Sequence, residues 1–329
     1  MQFWRVGKMI LATVAGVWVG SAATAQSEYP IEIPHAYGTT TITAPPERVA
    51  TVNWANHEVP LALGVVPVGM AAANFGDDDG DGVLPWVNAK LDALGAEIPV
   101  LFDEGDGIDF EAVAASDPDV ILAAYSGLSQ QDYEILSQIA PTVAFPQTPW
   151  TTDWRTTIRM NSAGMGMAAE GEALIADLEQ QISETVAAHP VLEGKSALFV
   201  THLDPTDLSR IPFYTSKDTR VAFLEDLGIA SPQAVIELSR SGLFVGEVSA
   251  EQIDLLSDVD IIVTYGTDSL LSELEGYVLT QKMPAIARGS IVLLQNDPIG
   301  TAANPTPLSI PYVLQDYVSM LAEAAAQAE

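Results

Sequence analysis

Residues 168–189, AAEGEALIADLEQQISETVAAH, decide how the rest of the chain is read. Leu174, Ile175, Leu178, Ile182 and Val186 recur at helical spacing, which lines them along one face of an α-helix, while Glu172, Asp177, Glu179, Gln180 and Glu184 fill the other. Pro190 ends the pattern, because proline lacks the amide hydrogen that the interior of a helix needs. At a rise of about 1.5 Å per residue the helix spans roughly 30 Å, the width of a small domain. On both sides, apolar strand-like runs alternate with helical patterns. A helix so placed is either an ordinary element of one large domain or a stiff spine between two lobes, and the surrounding sequence favours the spine.

Upstream, residues 49–53, 67–73, 99–102, 120–124 and 142–145 read as strands, with helices over 58–63, 86–94, 109–116, 128–139 and 154–165. Downstream, residues 197–201, 261–264 and 291–294 read as strands, with helices over 219–227, 250–256 and 308–326. Alternating strands and helices predict parallel sheets covered on both faces. The halves also echo each other. FEAVAASDPDVILAAY at 110–125 can be laid on AEQIDLLSDVDIIVTY at 250–265, each with Glu at a helix start, Asp before a strand and Tyr at the strand's end.

With 329 residues and 48% hydrophobic content, the chain can bury the cores of one or two domains. Residues 1–25 have the form of a secretory leader: Arg5 and Lys8, an apolar run over 9–19, then Ala23-Thr24-Ala25, with cleavage expected after Ala25. The expected organisation is therefore a leader at 1–25, an α/β lobe at 26–167, the spine at 168–190 and a second α/β lobe at 191–329. The chain contains no cysteine, which leaves neither a disulfide nor a lipid-modified Cys, so a soluble protein of the periplasm without a lipid anchor is expected. A net charge of −31 opposes binding to nucleic acid or anionic lipid. It also makes any gathering of cations conspicuous.

In open parallel sheets, ligands bind beyond the carboxyl ends of the strands. That directs attention to Trp54 and Asn56, Tyr125 and Ser126, and His202 and Tyr265. Arg210, Tyr214, Lys217 and Arg220 form a short basic and aromatic stretch. Facing lobes would bring these groups to a groove suited to an anionic ligand. Asp77, Asp79, Asp81 and Gly82 match the first half of a calcium loop, but Asn88 stands where a bidentate Glu belongs, so a solvated acidic turn is the better reading. His57 and His202 end strands in opposite halves, which keeps direct metal capture as an alternative. No GxSxG, GxGxxG or P-loop is present, and an enzyme is not expected.

Several segments resemble the ferric-siderophore and vitamin B12 periplasmic binding proteins. They are Glu47-Arg48-Val49 with LALGVVPVG at 61–69, Phe110-Glu111 with Asp117-Pro118-Asp119, Ile139 with Pro141, Tyr214 to Lys217 with FLEDLG at 223–228, and Ser249 to Ile253. DDDGDGVLPW at 77–86 and AYSGL at 124–128 are similar to an iron-siderophore branch. The resemblance implies a class III periplasmic binding protein, with two Rossmann-like lobes joined by one long rigid helix. It implies capture of a ferric siderophore as cargo, with no resident cofactor, and delivery to an ABC permease and its ATPase by a monomer. Haem or a corrinoid is the alternative cargo. It assigns permease docking to Glu111 and Glu251. Hydroxamate-binding relatives carry an Arg shortly before the first of these Glu residues, where this chain reads Asp103-Glu104-Gly105-Asp106-Gly107. That departure counts against a hydroxamate ligand.

Overall fold

The computed structural model describes residue 1, residues 28–204 and residues 206–328; the expected leader beyond Met1 and its cleavage point lie outside the described residues. The chain opens with an antiparallel hairpin of β1 (Ile31–His35) and β2 (Gly38–Ile42). Then follow β3 (Val49–Thr51), α1 (Glu58–Ala62), β4 (Gly69–Ala71), α2 (Pro85–Leu94), β5 (Val100–Phe102), α3 (Phe110–Ala115), β6 (Val120–Leu122), α4 (Gln130–Ile139), β7 (Thr142–Val143) and α5 (Trp154–Gly164). The spine, α6, runs over Ala168–Ala187. Beyond it come β8 (Ala197–Val200), β9 (Arg210–Tyr214), α7 (Thr219–Asp226), α8 (Gln233–Arg240), β10 (Val245–Ser249), a 3-10 segment (Ala250–Leu256), β11 (Ile261–Tyr265) and α9 (Asp268–Gly276). The chain closes with α10 (Pro284–Ala287), β12 (Ile291–Leu294), α11 (Pro298–Ala302) and α12 (Ser309–Ala326).

The first sheet is parallel throughout, in the order β5-β4-β3-β6-β7. The strand order reverses between β3 and β6, which opens a crevice at their carboxyl ends. The second sheet, β10-β9-β8-β11-β12, is mixed: β8, β11 and β12 are parallel, but β9 runs antiparallel to both β8 and β10. The expectation of a purely parallel second sheet is corrected here. Pro212 removes one ladder donor from β9, a residue that argues against a strand in sequence. VGEVS of β10 alternates exposed and buried residues, as a half-covered antiparallel edge does.

Ile175, Leu178 and Ile182 of α6 are buried, and Leu174 and Val186 pack beside them. Helix α5 lies close against it at Gly171, where a Cβ would stand 2.1 Å from the Ser162 hydroxyl. Helix α12 runs along the spine, with the Gln315 side-chain amide donating to the Thr185 hydroxyl at 2.7 Å. One apolar cluster continues from Val49 and Val120 of the first sheet through α6 to Phe199 and Val263 of the second. Another joins Leu61, Met70 and Trp86 of the first lobe to Ala302 and Val313 near the carboxyl terminus. Among the described residues, no helix is long and apolar enough to cross a membrane.

Candidate ligand-binding cleft

A cleft of about 520 Å³ lies between the lobes. The loops after β3, β5 and β6 supply Asn53, Trp54, His57, Glu104 and Tyr125; Trp150 follows β7. From the other lobe come His202 after β8, Tyr214 on β9, Arg220 on α7, Phe244 ahead of β10 and Tyr265 at the end of β11, with Thr301 and Asn304 at the base. Strand ends of both sheets therefore meet at one groove, as the open-sheet rule requires.

The first wall depends on a backbone that turns sharply after β3. Asn53 has φ +58°, a left-handed conformation that asparagine tolerates better than most residues. Its amide hydrogen and its side-chain NH2 both donate to the Glu104 carboxylate, at 3.0 and 2.9 Å, and its side-chain oxygen accepts from Gly127 N–H at 3.0 Å. Gly127 has no Cβ for a reason: one placed there would lie 2.3 Å from the Trp150 indole nitrogen. Trp150 thus rests on the loop after β6, edge-on to Tyr125 at 5.4 Å.

The second wall is built around Arg220. Its guanidinium makes two hydrogen bonds to the buried Asp218 carboxylate, at 2.8 and 2.6 Å, and lies 4.0 Å over the Tyr214 ring. His202 stacks on Tyr265 at 4.8 Å. Burial and then the Arg220 charge lower the basicity of His202. Burial pulls the His57 pKa down to about 4, which leaves it neutral near pH 7. Burial pushes Glu104 up from the ordinary carboxylate range, while the Asn53 donors oppose that by favouring the ionised form. Trp54 Nε1, His57 Nδ1 and Thr301 Oγ1 are buried and lack a hydrogen-bond partner among the described residues.

Six of the expected ligand residues, Trp54, Tyr125, His202, Tyr214, Arg220 and Tyr265, are brought together here. Four are not. Asn56 is wholly buried; its NH2 donates to the carbonyls of Val52 and Tyr125, and its oxygen accepts from Tyr125 N–H and the Asn161 amide, so it ties two loops together beneath the cleft. Ser126 is likewise completely buried. Arg210 is exposed and paired with Glu247 on the neighbouring strand. Lys217 faces an adjoining groove of about 590 Å³, separated from the cleft by Trp150 and Phe244, which line both. The expected free cluster of cations for an anionic ligand is thereby corrected: among the described residues one Arg or Lys reaches the cleft, Arg220, and it already holds a carboxylate. Glu104, Trp150, Phe244 and Asn304 were not anticipated. Asn304 stands far from any strand end in sequence, yet its NH2 donates to the Tyr125 hydroxyl at 3.1 Å.

In the acidic loop, Asp77 accepts from the N–H groups of Gly80 and Gly82, each at 2.8 Å. Asp81 accepts from Val83 N–H and from the Asn88 amide, also at 2.8 Å. Asn88 thus turns a donor inward where a calcium loop needs an acceptor. Among the described residues, these three Asp form the one group of three or more acidic or imidazole side chains close enough to share an ion, so His57 and His202 have no third ligand beside them.

Two α/β lobes on one continuous helix, with a deep aromatic groove between them, define a class III periplasmic binding protein. The chain belongs to the periplasmic binding protein family, whose profile matches residues 49–298. It is similar to PiaA of Streptococcus pneumoniae TIGR4, solved in complex with ferrichrome, at 42% identity over 91% of this chain and 100% of that one, with a TM-score of 0.86. A periplasmic solute binding protein from Mycobacterium smegmatis is 25% identical over 90% of this chain and 99% of its own, with a TM-score of 0.73. The probable siderophore-binding lipoprotein YfiY of Bacillus subtilis is 24% identical over 71% of this chain and 67% of that protein.

Proposed function

We propose that the cleft captures a ferric siderophore and that the protein delivers it, as a monomer, to an ABC permease driven by its ATPase. The observation that carries this reading is the aromatic interlobe groove in a chain 42% identical, over 91% of its length, to a protein solved with ferrichrome. Aromatic walls suit a bulky chelate, because they present large rigid apolar faces with a few polar tips. The assigned contacts are Trp54, Tyr125, Trp150, His202, Tyr214, Arg220 and Tyr265. Glu111 and Glu251, both exposed near the starts of α3 and the 3-10 segment, are the docking carboxylates for the permease. The absence of cysteine from the 329 residues supports a periplasmic protein without a lipid anchor, in contrast to the Bacillus subtilis relative named as a lipoprotein.

Trp54 and Trp150 make the test direct. Their fluorescence is to be followed during titration with ferric siderophores, haem, cobalamin and bare ferric iron, with native mass spectrometry for stoichiometry. Saturable quenching by a ferric siderophore at one per chain is the expected result. Binding confined to haem, to cobalamin or to bare iron would overturn it.

A further inference from the structure

Glu104 and Arg220 are the acidic and basic side chains among the residues that line the cleft, one on each lobe. Their situations are not symmetrical. Arg220 enters the groove with its charge already matched by Asp218, whose side chain is only 1% exposed. Among the described residues no cation pairs with Glu104; its partners are the neutral N–H groups of Asn53. A carboxylate has acceptor capacity for about four hydrogen bonds, so Asn53 leaves part of it free toward the groove. His57 and His202 are both shifted toward the neutral form. The lining together with Asp218 therefore carries a net negative charge, inside a chain whose net charge is already −31.

We propose that Glu104 is a charge filter: the cleft takes ferric complexes of zero or positive net charge, and the carboxylate receives an ammonium or amide N–H from the ligand's framework. This deepens the siderophore reading and rests on it. Ferric iron chelated by three bidentate arms of single negative charge, such as hydroxamates, is neutral. The same ion held by doubly charged catecholate arms is strongly anionic and would bring its charge against Glu104 in a partly shielded groove, where like charges repel more than in open water. The stretch whose lack of a cation counted against a hydroxamate in the sequence therefore supplies, in Glu104, a group that favours one.

The test uses the full chain and three probes: a ferric linear trihydroxamate with a free terminal ammonium, the same complex with that amine acetylated, and a ferric tris-catecholate. Affinities are measured at low and high ionic strength. The wild type is expected to bind the ammonium form about tenfold more tightly than the acetylated form, a preference that salt reduces, and to bind the catecholate more weakly than either. In Glu104→Gln the first ratio should fall close to one. Equal wild-type affinity for the catecholate and the hydroxamates would overturn the filter, and that comparison needs no variant to fold. An unchanged ammonium preference in Glu104→Gln would overturn it as well. If ferric complexes bind without ordering by charge, the filter alone fails; if none binds, the siderophore reading falls with it.

Discussion

Arg220 joins ligand recognition to stability. Its removal takes a cation–π partner from Tyr214 and leaves Asp218 buried without a counter-charge. Arg220→Ala is expected to destabilise the fold by about 3–5 kcal/mol, the usual cost of an orphaned buried charge. Adding Asp218→Asn should recover most of that, since Asn can still cap α7, while ligand affinity stays reduced; urea denaturation beside ligand titration separates the effects. Glu58 supplies a second residue-scale prediction. It is fully buried, receives Trp86 Nε1 at 2.8 Å, Leu308 N–H at 3.0 Å and the Thr306 hydroxyl, and burial raises its pKa to about 7. The folded form holds this proton more tightly than the unfolded chain, so the associated stability is complete below pH 4.5 and is lost as pH rises to about 7. The loss should be on the order of 3 kcal/mol, and denaturation at a series of pH values should show it in the wild type but not in Glu58→Gln. Sequence could not separate Trp54 from Asn56, because both follow the same strand and one side chain turns up into the groove while the other turns under it. Arg210 shows the same limit: its exposed partner Glu247 sits on a strand not recognised as one.

At the scale of elements, the internal echo has a structural basis. Asp119 accepts from the N–H groups of Glu47 and Arg48, at 2.7 and 3.0 Å, just ahead of β3; Asp260 accepts from Ser196 N–H at 2.9 Å, just ahead of β8. In each lobe an acidic residue before one parallel strand pins the start of its neighbour, and the strand leads to a cleft tyrosine, Tyr125 in the loop just after β6 or Tyr265 at the end of β11. Glu111 and Glu251 begin the elements that lead into these units, so the lobes present their carboxylates from related positions. Charge reversal at both, Glu111→Lys with Glu251→Lys, should leave ligand affinity unchanged and abolish stimulation of the transporter's ATPase, since exposed rim charges govern encounter and register. Wild-type stimulation by a folded, ligand-binding double variant would exclude the docking role. The parallel strands and the spine were legible because each is a short apolar run or a long amphipathic repeat. Strand β9 was not, because Pro212 and the flanking charges hide a pairing that only the tertiary fold stabilises.

Across the whole molecule, the lobes are fastened beneath the groove as well as joined by the spine. Asp226 on α7 accepts from Trp154 Nε1 at 2.9 Å and from the Arg155 guanidinium at 2.8 Å, and Arg155 also bonds Glu179 on α6 at 2.6 Å. Glu58 fastens the first lobe to the segment ahead of α12. Bending α6 would break backbone hydrogen bonds and these contacts together, so ligand binding should produce little closure. Small-angle scattering with and without ligand is expected to give nearly superimposable profiles; a marked compaction would contradict a rigid spine. The route of the last helix has a further consequence. Leu61, Met70 and Trp86 are covered by Ala302 and Val313, so the first half of the chain cannot finish its interior until the final residues have arrived. Two sheets that look separable are thus expected to melt as one cooperative unit, and loss of the carboxyl-terminal helix by proteolysis should unravel the lobe that was synthesised first.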